Sequence, residues 1–231
     1  PNQWIDIENR QAPPRRASIE LRNAERESAR LADLVICPSH DLANWVRARW
    51  RVPRVDVLPY PLGRIRTLPG PARSCDGPVR ALLVGRLEPR KGVDILLRAL
   101  VIAVRRGVDA HVLLAGQDTA DPRTGAPFGH RSIHTIVPQD MRRRVRALGK
   151  LGPEQLASVR AEANLAAVPG AFDNFPYAAI ESMALALPVV APRYGGISEI
   201  VRDHTDGFLF NPHDPADLAR ALGRYAAISP R

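Results

Sequence analysis

The stretch Val79-Arg80-Ala81-Leu82-Leu83-Val84-Gly85-Arg86-Leu87-Glu88-Pro89-Arg90-Lys91-Gly92 decides the fold. It begins as a strand whose end is nearly all apolar, as in a parallel sheet covered on both faces. Gly85 breaks the strand. Beyond Gly92 the apolar positions change period: Val93, Leu96, Leu97, Leu100, Val101 and Val104 fall at helical spacing. A buried strand running through a glycine turn into an amphipathic helix is the repeating step of an α/β sheet.

The same step recurs toward the C-terminus. His111–Ala115 reads as the next strand, and the polar, Gly/Pro-rich stretch 117–129 as a long loop of the kind that often serves a function. Val145–Leu148 is a strand, Pro153–Ala163 a helix with proline near its start, and Leu165–Val168 another strand. Pro176–Leu187 is a helix, Val189–Ala191 a strand, and a last helix starts near Asp214. Strictly alternating strands and helices predict right-handed crossovers in a doubly wound, Rossmann-like parallel sheet.

Toward the N-terminus the pattern loosens. Residues 18–32 read as a charged helix, Leu34–Cys37 as a short strand, Asp41–Arg49 as a helix and Val55–Leu58 as a half-buried strand. From Pro59 to Pro78 the chain carries five prolines and three glycines without periodicity, which marks a linker. The chain opens at Pro1-Asn2-Gln3-Trp4 with no initiator Met, and is read as a piece of a longer protein.

Composition narrows the class. The 231 residues are 45% hydrophobic and 25% charged, an ordinary balance for a folded chain with a sizeable core. No apolar run reaches the roughly 18 to 20 residues that span a bilayer. Cys37 and Cys75 are too few for a disulfide framework and have no metal-ligand spacing. They read as free thiols of a reducing cytoplasm. The net charge of +9 comes almost wholly from arginine, since Lys91 and Lys150 are the only lysines. The run Arg142-Arg143-Arg144 with Arg146 lacks the interleaved aromatics of a base-stacking surface, so no nucleic-acid partner is expected. A weak attraction to anionic lipid stays open, which would put the protein at the inner face of the membrane.

Ligands of doubly wound sheets sit where strand ends enter helices. At the first such junction Gly85 allows close backbone approach, and Arg86 and Lys91 place two cations near a helix start, where backbone N–H groups also favour an anion. At the second, Phe172-Asp173-Asn174-Phe175-Pro176-Tyr177, an almost wholly apolar helix carries one charged residue, Glu181. A carboxylate there needs a cationic partner or a wet cleft. Two readings stay open: a salt bridge, or an acceptor for a vicinal diol such as a ribose. Asp173 precedes it at a distance that lets both carboxylates face one cleft. The third junction, Tyr194-Gly195-Gly196, reads equally as a tight turn or a ligand contact.

Taken in order, Gly85-Arg86…Lys91-Gly92, Asp173-x7-Glu181, Ser182-Met183-Ala184, Pro188-Val189-Val190-Ala191, Gly195-Gly196 and Asp206-Gly207-Phe208-Leu209 resemble glycosyltransferase family 4. The resemblance covers about residues 30–225. It implies the GT-B arrangement of two facing Rossmann-like domains and a retaining transfer from a nucleoside diphosphate sugar (UDP-, GDP- or ADP-linked), with no metal and no cofactor. The acceptor would be a glycan, a lipid or a small molecule.

By the same resemblance Arg86 and Lys91, beside Gly85, grip the donor pyrophosphate, and Glu181 holds the ribose hydroxyls. Asp173 meets the sugar hydroxyls where the family usually has Glu, and Gly170 stands where a Ser is common. Backbone around Asn174, Phe175, Pro176 and Tyr177 faces the sugar or phosphate, and Lys150, in Gly149-Lys150-Leu151, lies near the nucleobase. Residues 1–62 correspond to the end of the acceptor domain, 63–78 to the linker and 79–231 to the donor domain, so the piece alone is expected to be inactive. A non-catalytic nucleotide-sugar-binding module is the alternative. A dehydrogenase is disfavoured, because no G-x-G-x-x-G follows a strand with an acidic residue about 20 positions on.

Overall fold

The computed structural model describes residues 16–63, 77–120, 124–171 and 173–228. In chain order the elements are α1 (Arg16–Leu31), β1 (Val35–Cys37), α2 (His40–Trp50), β2 (Val55–Val57), β3 (Val79–Val84), α3 (Val93–Arg105), β4 (Ala110–Ala115), α4 (Phe128–Ile136) and β5 (Val145–Gly149). They continue with α5 (Pro153–Glu162), β6 (Leu165–Ala167), α6 (Tyr177–Ala184), β7 (Val189–Pro192), β8 (Gly207–Phe210) and α7 (Pro215–Ile228). Short 3-10 turns occupy Pro89–Lys91, Gln139–Arg144 and Gly196–Glu199.

The strands form two parallel sheets, a pair β1-β2 and a six-stranded sheet ordered β5-β4-β3-β6-β7-β8. The larger one is doubly wound: the chain builds outward from β3 to β5, returns, and builds outward from β6 to β8. The reversal leaves a crevice between the ends of β3 and β6, where ligands of such sheets sit.

Alternation along β3 sends Val79, Ala81 and Leu83 into one apolar layer and Leu82 and Val84 into the other. The first layer is completed by Leu96, Leu97 and Leu100 of α3 with Leu218 and Leu222 of α7, all at 0% exposure. The second lies under α5 and α6, through Val159, Ala163, Ala179 and Met183. Because both faces are covered, the strand reads as a continuous apolar run rather than an alternating one. The smaller sheet has its own core of Cys37, Leu42, Ala43, Val46, Trp50, Val52 and Val55. Cys37 is free, and burial pushes its thiol up; Cys75 lies outside the described residues.

Two elements escape the sequence reading. The loop expected to run to Gly129 is shorter, because α4 already begins at Phe128. Its sequence, with Gly129, His130, Ser132 and Thr135, carries little helical signal. What starts the helix is remote: Asp118 Oδ1 and Oδ2 accept the N–H groups of Gly129 and His130 at 2.7 and 2.9 Å. Strand β8, quoted above only as a motif, pairs with β7 from Val189↔Gly207 to Pro192↔Phe210. The helix expected over Pro176–Leu187 ends at Ala184, and Ala186 then takes φ 55° in the turn to β7. Of the expected linker only residues 63, 77 and 78 are described.

Candidate functional site

The loop after β3 and the loop after β6 touch. A Cβ on Gly92 (φ +72°) would lie 2.5 Å from the Pro169 carbonyl oxygen, and one on Gly170 would lie 2.6 Å from that of Arg90. Any side chain at position 170 would push these loops apart, which explains a glycine in place of serine. The contact sets Lys91 opposite Asp173, with Nζ 2.8 Å from Oδ2.

Together the loops wall a cavity of about 420 Å³ at the crevice between β3 and β6. Lys91, Asp173, Asn174, Phe175, Pro176, Tyr177 and Glu181 all line it. The sequence expectation that both carboxylates face one cleft is met. Arg86 and Lys150 are not among the lining residues. The Arg86 side chain is 63% exposed and pairs with Glu88 at 3.4 Å. Gly85 does not line the cavity either; a Cβ there would stand 3.8 Å from Lys91 Cδ, an ordinary contact, although its φ of +150° still favours glycine.

Glu181 has both a cationic partner and a place on the cleft. It lines the cavity, and it also pairs with Arg160 of α5. Composition did not single out Arg160, yet a signal existed: it falls at the i+4 position of the α5 stripe Leu156, Val159 and Ala163. Tyr60, from the chain after β2, lines the cavity and was not expected there. Its ring stacks on Tyr177 (centroids 5.1 Å apart, planes at 2°) and meets Phe175 edge-on at 5.7 Å.

The smaller sheet is joined to the larger one beside this site. Glu199 accepts the His40 and Asp41 N–H groups at 2.8 and 2.6 Å, serving from outside the helix as the cap of α2, while Ser39 Oγ accepts Leu42 N–H at 3.2 Å. Burial and then the nearby Glu199 carboxylate push the Asp41 carboxyl up. Gly196 packs under the site loop: a Cβ there would stand 1.7 Å from the Asn174 carbonyl oxygen. The third glycine junction therefore supports the site's frame and does not line the cavity.

Residues 78–227, which hold the whole doubly wound sheet, match the family described as glycosyl transferases group 1. The chain belongs to this family.

Among group 1 glycosyl transferases it is 33% identical over 180 residues to the D-inositol 3-phosphate glycosyltransferase of Corynebacterium kroppenstedtii, covering 74% of this chain and 38% of that protein. It is 34% identical over 179 residues to the protein of the same name from Nocardia farcinica, covering 74% and 39%. The chain thus spans about two fifths of the length of the curated relatives it matches.

Among solved structures, sucrose-phosphate synthase from Thermosynechococcus elongatus superposes with a TM-score of 0.76 at 27% identity, over 96% of this chain and 56% of the other. Anabaena Alr3699/HepE, solved in complex with UDP-glucose, shares the fold with a TM-score of 0.70 at 23% identity, over 90% and 62%. The fold of this chain is Rossmann-like and of the GT-B type. No helix among the described residues is long and apolar enough to cross a membrane.

Proposed function

We propose that this chain carries the donor site of a retaining glycosyltransferase, which moves a sugar from a UDP-, GDP- or ADP-sugar to a glycan, lipid or small-molecule acceptor without a metal ion. The observation that carries this reading is the convergence of Lys91, Asp173 and Glu181 on one cavity at the sheet's reversal point. Each has a task there. Lys91 meets the diphosphate and offsets the negative charge that grows on it as its oxygen leaves the anomeric carbon. Asp173 accepts from the sugar hydroxyls and, until the donor arrives, holds Lys91 in place. Glu181 accepts from the ribose. The exposed Arg86 screens the outer phosphate.

The acceptor oxygen bonds to the anomeric carbon on the face the diphosphate leaves, and the acceptor proton departs with the diphosphate. Residues 1–62 belong to the acceptor domain and 63–78 to the linker on this reading, with 79–231 the donor domain. Apart from Tyr60, every residue lining the cavity lies beyond position 78. That favours, for this chain by itself, binding without transfer: holding two substrates in register accounts for roughly 7 to 11 kcal/mol of barrier lowering, and most of the facing wall lies elsewhere.

Isothermal titration with UDP-, GDP- and ADP-sugars, beside a radiolabelled transfer assay on a broad acceptor extract, tests both points. One nucleotide class should bind at high micromolar concentration with no transfer. Failure of the whole panel to bind removes the donor-site reading, and measurable transfer places the acceptor site within these residues.

A further inference from the structure

Glu181 is the only charged residue of α6, and its partner Arg160 stands on α5 outside the cavity. Arg160 is 7% exposed, lodged beside the apolar layer that includes Leu156, Val159 and Ala163. Its Nη2 donates to Glu181 Oε2, while its Nε is buried without a partner. Such a pair is a poor way to stabilise a fold. Removing a guanidinium from water costs several kcal/mol, and apolar side chains of equal volume often serve as well or better. Its other end has a different character: the Glu181 side chain is 35% exposed and opens on the cavity, and no hydrogen bond to Oε1 forms among the described residues.

We propose that Arg160 is the positioning residue of this site, engaging Oε2 so that Glu181 is held with Oε1 presented to the ribose of the incoming nucleotide. This rests on the ribose-binding reading of Glu181. Without the guanidinium the carboxylate would sample several rotamers and lose part of its hydrogen-bonding advantage on each binding event.

The experiment titrates the 231-residue chain with UDP, GDP and ADP and with their 2′,3′-dideoxy counterparts. The parent should prefer the ribose form, and Arg160→Met should lower that preference by about tenfold or more, the loss of one hydrogen bond to a charged group. Affinity for the dideoxy form should stay within about twofold. Glu181→Gln should lower the preference similarly, and the double variant no further. Arg160→Lys, which keeps the charge without the planar fork, should fall between parent and Arg160→Met and serves if the methionine variant does not fold.

A ribose preference that survives in the Arg160 variants while Glu181→Gln abolishes it overturns the positioning role. Equal weakening of ribose and dideoxy forms also overturns it, by showing a structural effect alone. A parent that binds nucleotide with no ribose preference overturns the Glu181 reading itself, and a parent that binds none of the nucleotides overturns the donor site.

Discussion

Lys91 and Arg86 share a loop but not an environment. Lys91 is held at 2.8 Å by Asp173 on the cavity wall, whereas Arg86 is largely solvated. Lys91→Ala removes a charge-assisted contact to phosphate and leaves Asp173 facing the diphosphate unopposed. It should weaken nucleoside diphosphate binding by roughly 10- to 150-fold, about 1.5–3 kcal/mol. Arg86→Ala should cost less than about fivefold, as an exposed ion pair would. Titration of both variants checks the order, and a larger loss in Arg86→Ala would shift the phosphate outward. Asp41 offers a second residue-scale outcome. Its carboxyl is raised by burial and by Glu199, so the folded state holds its proton more tightly than the unfolded chain. The resulting stability is present below about pH 3.9 and is lost as pH rises through the raised folded value. Asp41→Asn should therefore melt higher than the parent near pH 7, and the gap should close as pH falls toward about 4. A gap that does not vary with pH would have another origin.

Elements here depend on groups distant in sequence. Helix α4 starts on two hydrogen bonds from Asp118, eleven and twelve residues upstream. Asp118→Ala should cost about 1 kcal/mol, and at most about 2, as loss of a helix N-cap does. Urea denaturation reads the cost, and hydrogen exchange should quicken at Gly129 and His130 first. Unchanged exchange at those two amides would mean α4 is nucleated by its packing on α3. Helix α2 is likewise capped half by its own Ser39 and half by Glu199, which ties the small sheet to the large one.

At the scale of the whole molecule the small sheet leaves apolar side chains in solvent. Leu34, Ile36 and Leu58 are 47%, 56% and 61% exposed, whereas Cys37 and Val55 face the local core. An adjoining cluster of this kind on a two-stranded sheet invites contact with another molecule. Sedimentation of the 231-residue chain should show concentration-dependent self-association, and Ile36→Lys should shift it toward monomer without lowering the melting temperature. Association unaffected by that substitution would assign it to a different surface.

The α/β class, most strands and helices from β3 to α7, and the two loops that carry the site were legible in the order of the residues. Those are local properties: β3 is a short apolar run, α3 has a helical stripe, Lys91 and Asp173 stand in strand-to-helix turns, and Glu181 is the lone charge of the apolar helix α6. The folded chain alone sets Lys91 against Asp173 and turns Arg86 to solvent, because Gly92 and Gly170 let two loops meet across 82 residues of chain. It also supplied Arg160 behind Glu181, Tyr60 on the cavity wall, and Asp118 at the start of α4. Each is a polar or aromatic partner brought in by sheet order, and the energy of such a contact depends on burial and geometry that residue type does not encode.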